Sequence, residues 1–220
     1  MRIWGTVLFV CIFSLSFRIN PENSDNLNTA ANAGYLSPIE KEIIYEINLF
    51  RSNPSGYAEK YIAPLAGSYK GKLLNYPNDK PIMTNEGVKA LNECIRELKK
   101  ANPVSVVYPS QGLSKAAKDH VKDQSVTGKT GHNGSDRSNS KTRIERYGTW
   151  KTRIAENIAY GGISARQVVI YLLVDDGVPG RGHRKNLLHP DFQTVGVAAG
   201  KHPVYGEMYV MDFAGSFVDN

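Results

Sequence analysis

The sequence predicts an α+β fold, and the order of its apolar patterns is the main reason. Four amphipathic helical patterns lie within residues 37–174, whereas two alternating stretches typical of strands come late, at 194–199 and 208–213. The β-branched stretch 104–108 is an earlier candidate strand. Helices first and strands late favour an α+β architecture. A length of 220 residues without internal repeats suits a single domain.

The N-terminus has the pattern of a secretory signal peptide. The apolar stretch Ile3 to Phe17 follows a charged start and is only fifteen residues long, which is shorter than the roughly 20 residues of a membrane-spanning helix. We therefore predict that residues 1–20 are a signal peptide and that the protein is secreted or reaches the cell envelope. A retained anchor is the alternative, because no small-residue cleavage site precedes Arg18.

The folded domain is expected to begin after a polar leader. Residues 21–35 are rich in Asn, Ser and Ala and lack apolar periodicity, so we expect them to be disordered, and the domain is assigned to 36–220. The first helix begins where Ser37 can cap it, with Glu40 at the capping-box position, and ends at Asn53-Pro54.

Three further helices are predicted along the chain. One runs from about Asn85 to Lys100, one follows Gly112 and carries His120, and one begins at Ser164 with Gln167 at the capping-box position. His120 lies beside the apolar face of its helix. A lone histidine there is more often a hydrogen-bonded core residue than a ligand.

Charge and cysteine content narrow the class of protein. The formal charge of +6 falls to +4 without Arg2 and Arg18, and basic residues are scattered, so no nucleic-acid footprint is predicted. The one basic cluster, 181–185, could meet an anionic ligand or lipid headgroup, or could be a solvated helix start. Cys11 lies in the predicted signal, which leaves Cys94 as a core residue and excludes an internal disulfide.

Three short segments place an imidazole or a carboxylate beside glycine. They are Gly131-His132-Asn133, Ala155 to Gly161 and Asp175 to Leu188. Glycine allows sharp turns, so such residues can be presented at a cleft, and we interpret Gly161, Gly177 and Gly182 as backbone devices.

The residue types in these segments suit a metal site. Two neutral imidazoles, His132 and His183, could bind a divalent transition metal such as zinc, and Glu156 could orient an imidazole N–H or act on bound water. Glu156 could instead bind free backbone N–H groups at a turn. Lys185, Asn186 and Arg184 are interpreted as surface or loop-fixing residues.

In this order, and with Arg-Gly-His-Arg-Lys-Asn-Leu-Leu intact, the segments resemble the CAP superfamily of SCP-like and PR-1-like extracellular domains, in its cysteine-poor microbial form. The resemblance covers most of the chain after about residue 36. It implies a three-layer α-β-α sandwich with a small antiparallel sheet between helices. It also implies a cleft of His132, Glu156 and His183 with a second acid on the preceding helix. Asp175 and Asp176 are both candidates for that acid, and we favour Asp176.

The resemblance also guides the functional prediction. It implies a secreted module that binds a lipid or sterol, or an extracellular protein or cell-surface partner. Neither a His-Glu-x-x-His helix nor a Gly-x-Ser-x-Gly elbow is present. We therefore expect a monomeric, non-enzymatic protein whose cleft can hold zinc. A metal-dependent hydrolase or protease using the same residues, and a cell-envelope structural or adhesion module, are the alternatives.

Overall fold

The computed structural model of this protein describes residues 26–220. The predicted signal peptide 1–20 and the first part of the leader lie outside the described residues. Within 26–220, each helix is too short or too polar to cross a bilayer.

The described residues form helices, a small three-stranded sheet and a larger central sheet. The α-helices are α1 (Pro38–Ser52), α2 (Pro54–Tyr57), α3 (Val88–Leu98), α4 (Gln111–Thr127), α5 (Ser140–Glu145), α6 (Ala165–Val174) and α7 (Gly182–Leu188). The strands are β1 (Tyr69–Lys70), β2 (Leu73–Leu74), β3 (Ile82–Met83), β4 (Tyr108–Pro109), β5 (Gly148–Tyr160), β6 (Thr194–His202) and β7 (Gly206–Asp219).

The central sheet has the strand order β4-β6-β7-β5. Strand β4 runs parallel to β6, and the other neighbours are antiparallel. One face, which includes Val197 and Met211, packs into the main core with α1, α3 and α6. The other face, which includes Val210, packs against Ala117 and Val121 of α4. The predicted three-layer α-β-α sandwich is therefore confirmed.

Local sequence signals place the helix starts where the structure has them. The Glu40 carboxylate accepts the Ser37 N–H at 2.7 Å, and the Ser164 hydroxyl accepts the Gln167 N–H at 3.3 Å. The second predicted helix is shorter than expected, since α3 begins at Val88.

Strand β5 was not predicted from the sequence, although it carries Glu156. Its pairing with β7 shifts between Lys151 and Ile154, and Thr152 has a φ of 73°. This bulge interrupts the alternation of apolar and polar residues by which a strand is recognised.

The structure differs from the expected disorder of 21–35 in the part that it describes. Ala30 and Ala33 belong to the main core, and the Thr29 hydroxyl donates to the Val107 carbonyl at 2.8 Å. The Asn48 amide on α1 donates to the Leu27 carbonyl at 3.0 Å. Small side chains and fixed hydrogen bonds order this segment without the apolar periodicity on which the prediction relied.

Candidate functional site

His132 is carried by the loop between α4 and α5, and its neighbour Gly131 fixes that loop. The Gly131 N–H donates to the Tyr160 hydroxyl at 2.9 Å. Its carbonyl accepts from the Gln124 amide at 2.6 Å and from His120 Nε2 at 2.8 Å. His120 is fully buried, so it is the hydrogen-bonded core residue that was predicted. Its burial lowers its pKa, which favours the neutral ring.

A buried carboxylate holds the imidazole of His132. His132 Nδ1 lies 2.8 Å from Glu156 Oε1, and Arg143 Nη2 donates to Glu156 Oε2 at 2.7 Å. The Glu156 and Arg143 side chains are 1% and 2% exposed, whereas the His132 side chain is 52% exposed. Burial acts to raise the pKa of Glu156, but the hydrogen bond from His132 and the charge of Arg143 outweigh it, so this pKa is lowered.

The second histidine has an equivalent arrangement. His183 Nδ1 lies 2.6 Å from Asp175 Oδ1, and the His183 backbone N–H donates to Asp175 Oδ2 at 2.9 Å. Asp175 ends α6 in the left-handed conformation, with φ 54° and ψ 44°. A short polar side chain tolerates that conformation, and it turns the carboxylate towards the start of α7.

The choice of Asp176 as the second acid is corrected by this geometry. Asp176 accepts hydrogen bonds from the backbone N–H groups of Asn85, at 2.5 Å, and Glu86, at 2.9 Å. It therefore fixes the loop before α3, and Asp175 is the acid that contacts His183. The two were indistinguishable in the sequence because the turn at Asp175 decides which side chain faces α7.

The structure brings the two imidazoles together. The ring centres of His132 and His183, hereafter the histidine pair, are 6.5 Å apart with an interplanar angle of 35°. Because each Nδ1 faces a buried carboxylate, each Nε2 is left to accept from or coordinate a ligand. This is the carboxylate–histidine arrangement that orients metal-binding imidazoles.

The donor set fits a metal with open coordination positions. Two imidazoles on one zinc would have ring centres about 5 Å apart, so the two rings, now 6.5 Å apart, would have to move closer to share one ion. Within residues 26–220, no group of three or more His, Cys, Asp or Glu side chains is arranged to hold a metal ion. The histidine pair could thus supply two ligands, and water or an incoming ligand would supply the others.

Strand β5 connects the two halves of the site. While Glu156 holds His132, the next residue, Asn157, is fully buried and donates to the His183 carbonyl at 3.1 Å. The Asn157 side-chain oxygen accepts from the Asn186 amide at 2.8 Å. Two adjacent residues of one strand therefore fix both histidines.

Asp212, which no sequence motif singled out, lies directly beneath this site. Asp212 on β7 is the cross-strand partner of Glu156 and has no exposed surface. Neither of its carboxyl oxygens has a hydrogen-bond donor among the described residues. Burial, and then the charge of Glu156, raise the pKa of Asp212 well above its ordinary value. The available signal in the sequence was an acidic residue two positions after Val210, on the same buried face of β7.

The glycines predicted as backbone devices differ in their roles. Gly161 and Gly177 both have a φ of 75°, where other residues are strained. Gly182 does not have a positive φ, and it has open space around it. The left-handed residue before α7 is Arg181 instead, with a φ of 54°.

The basic cluster at 181–185 is largely neutralised. Arg181 Nη1 and Nη2 lie 2.6 Å from Glu86 and Glu93 respectively. Arg184 is buried, and its guanidinium donates to the carbonyls of Leu173 and Val174 at the end of α6. Arg184 therefore joins the end of α6 to α7, and it is not a surface residue.

Fold and site together are those of a CAP-type domain. The family model described as "CAP: Cysteine-rich secretory protein family" matches residues 44–213, and the chain belongs to this family. Despite that description, the only cysteine among the described residues is Cys94, which is buried and free. No curated protein matches the chain.

Several solved structures are similar to this chain. An extracellular protein containing an SCP domain from Bacillus anthracis is 24% identical, with a TM-score of 0.41 over 56% of this chain and 37% of its own. An outer surface protein from Borrelia burgdorferi is 21% identical, with a TM-score of 0.44 over 66% of this chain and 98% of its own. A cysteine-rich secretory protein from Staphylococcus aureus is 16% identical, with a TM-score of 0.36, over 64% and 44%. The chain thus spans less than half of the first and third of these proteins.

Proposed function

We propose that this protein is an extracellular CAP-domain binding module whose histidine pair binds a divalent transition metal such as zinc. One observation carries the proposal: His132 and His183 lie side by side, each with Nδ1 on a buried carboxylate. Both Nε2 lone pairs are then available to one ion. The bound metal would offer open positions to a ligand donor atom from a partner.

Location outside the cell is part of the proposal. The pattern of residues 1–20 is that of an export signal. The family to which the chain belongs is described as one of secretory proteins. A cell-envelope position satisfies the same observations.

A binding role suits the histidine pair better than hydrolysis. Among the described residues, the side-chain hydrogen bonds of His132 and His183 go to Glu156 and Asp175 and not to a Ser, Thr or Cys nucleophile. Both carboxylates are buried behind the rings, so they orient the imidazoles and are poorly placed to activate a water in front of them. Hydrolysis by a metal-bound water is the alternative that the experiment must separate.

The experiment is a zinc titration by calorimetry on the chain from residue 21. We expect one zinc per chain for the unaltered protein and for a His189→Ala control, since His189 lies outside the pair. The His132→Ala/His183→Ala variant should bind none at that site. Equal binding by the double variant would contradict the proposal. Hydrolysis of a peptide or ester panel that is lost both in the double variant and with chelator would favour the hydrolase.

A lipid or sterol ligand is a second candidate, favoured by a separate groove. This groove has a volume of about 510 Å³ and is lined by residues of α1, α2 and the following turn, among them Leu49, Tyr57 and Tyr61. Its apolar and aromatic walls suit a hydrocarbon ligand. A Tyr61→Ala variant should lose binding of a fluorescent fatty acid or sterol while keeping zinc, whereas equal lipid binding would remove this candidate.

A further inference from the structure

A layer of buried polar groups lies between α4 and the central sheet, on the inner side of the histidine pair. Its ionisable members are His120 from α4, Arg143 from α5, Glu156 from β5 and Asp212 from β7. All four residues are at most 6% exposed. The facing position on β6 is Gly196, the cross-strand partner of Asp212, which contributes no side chain.

The charges of this layer do not balance if both acids are ionised. Arg143 is the only group of the four that is always cationic, and both of its terminal nitrogens are already committed, whereas its Nε has no partner among the described residues. Its Nη2 donates to Glu156 at 2.7 Å and to the His132 carbonyl at 3.1 Å, and its Nη1 donates to the Ser138 carbonyl at 3.3 Å. Burial lowers the pKa of His120, which favours its neutral form. One cation therefore faces two carboxyl groups.

The geometry decides which acid is ionised. Glu156 accepts hydrogen bonds from His132 and Arg143, one on each oxygen, whereas Asp212 receives none. Directly opposed residues of antiparallel strands have Cβ atoms about 5 Å apart, so the two carboxyl groups share one site. Two carboxylates so placed cannot both be charged, and the one without donors takes the proton.

We propose that Asp212 is a positioning residue: it stays protonated and donates its O–H to Glu156, which holds that carboxylate against His132. A carboxylate has about four lone-pair sites, so Glu156 can accept this third donor besides His132 and Arg143. The pair then carries a single negative charge that matches Arg143. The raised pKa of Asp212 agrees with this assignment. The functional part of this inference, that Asp212 orients a metal ligand, rests on the proposed function.

Two variants distinguish the effect of the Asp212 hydrogen-bond donor from the effect of the bulk of its side chain. Asp212→Asn keeps the size and offers an amide N–H to Glu156 in place of the carboxyl O–H. Asp212→Leu keeps the branching at Cγ, is larger and has no donor. We expect nitrogen NMR to show His132 protonated on Nδ1 in the unaltered protein and in Asp212→Asn, and a mixture of tautomers in Asp212→Leu. Zinc affinity should change less than about 3-fold in Asp212→Asn and fall about 10- to 100-fold in Asp212→Leu.

The proton itself can be observed without zinc. The infrared difference spectrum between the unaltered protein and Asp212→Asn at pH 7 should contain the carbonyl band of a protonated carboxyl group. A difference that contains only ionised-carboxylate bands would overturn the inference. The measurement does not require Asp212→Leu to fold.

The pH dependence of stability gives a second, independent readout. Asp212 has a higher pKa when folded than when unfolded, so the folded state loses stability as pH rises above the unfolded pKa. Asp212→Asn lacks this loss. Its unfolding constant relative to that of the unaltered protein should therefore fall as pH rises from about 4 to 7, by up to tenfold per unit. A ratio that rises with pH would contradict a protonated Asp212.

The outcomes distinguish this inference from the proposed function. A carboxyl band together with no zinc binding would remove the metal proposal and leave the protonated Asp212 in place. Zinc binding by the histidine pair together with no such band would keep the proposed function and overturn this inference.

Discussion

At the scale of single residues, Asp175 and Asp176 show how one turn separates two identical side chains. The left-handed φ of Asp175 directs its carboxylate to His183, while Asp176 binds the loop at Asn85 and Glu86. The same substitution at each of them therefore gives a matched comparison, because the side chains are identical and only their contacts differ.

We predict that Asp175→Asn weakens zinc binding and Asp176→Asn does not. Asparagine tolerates the left-handed conformation, but its one acceptor oxygen cannot serve both the His183 ring and the His183 N–H. Loss of such an orienting partner typically costs about 10- to 100-fold in metal affinity. Calorimetric zinc titration of the two variants is the measurement. Equal affinities would mean that Asp175 does not orient the ligand.

Arg51 shows that a charged residue of the first helix is structural. Its guanidinium is fully buried and donates to four backbone carbonyls, and the burial lowers its pKa to about 10. The acceptors are the carbonyls of Ser105, Leu187, His189 and Phe192. This one side chain joins α1 to the loops that follow α3 and α7.

We predict that Arg51→Met destabilises the protein by about 3 kcal/mol or more, because it leaves several buried carbonyls without a donor. The exposed Arg96, replaced in the same way, is the control and should change the free energy of unfolding by less than about 0.5 kcal/mol. Urea denaturation of both variants measures the difference. A similar small change in both would show that water replaces the guanidinium.

At the scale of elements, the close contact between α4 and the central sheet depends on Gly196, which has no side chain. A Cβ placed on Gly196 would lie 2.1 Å from the Leu113 carbonyl carbon and 2.2 Å from the Ser114 nitrogen. Both are backbone atoms of α4, so a rotamer change cannot relieve the contact. The close approach encloses the polar layer above Asp212.

We predict that Gly196→Ala destabilises the protein by about 2 kcal/mol or more, because α4 must move away from β6. Gly34→Ala is the control, since Gly34 has open space around it and no positive φ. It should be neutral or slightly stabilising. Thermal unfolding compares the two. If Gly196→Ala unfolds at the same temperature as the unaltered protein, α4 can move away from β6 without a measurable loss of stability, which contradicts the prediction.

At the scale of the whole molecule, the parts that could be predicted are those set by local patterns. Helix starts at Ser37 and Ser164 follow from capping, and the α+β class follows from the order of helices and strands, whereas the three layers were implied only by the resemblance. The pairing of His132 with Glu156 is a contact between segments that the sequence could only suggest by resemblance. The bulge at Thr152 hid β5, and the ordered segment before α1 depends on tertiary contacts. These features have no local periodic signal.

The main core is continuous through α1, α3, α6 and one face of the sheet. Cys94 lies in this core on α3, so the reactivity of its thiol measures how often the core opens. Cys94 is fully buried, and burial raises the pKa of its thiol to about 12. The reactive thiolate is therefore rare at neutral pH, and a reagent cannot reach the sulfur without an opening. An opening that exposes Cys94 must separate α3 from its neighbours, which would disrupt this core.

We predict that a maleimide reagent labels Cys94, in a Cys11→Ser chain, at least about 10³-fold more slowly than it labels the unfolded chain. The labelling free energy should fall with urea at the slope of global unfolding. As a control, Val126→Cys in a Cys11→Ser/Cys94→Ala chain should be labelled at once, since Val126 is 81% exposed. Labelling of Cys94 that does not depend on urea would instead identify a local opening of α3, and the single core would then consist of separable parts.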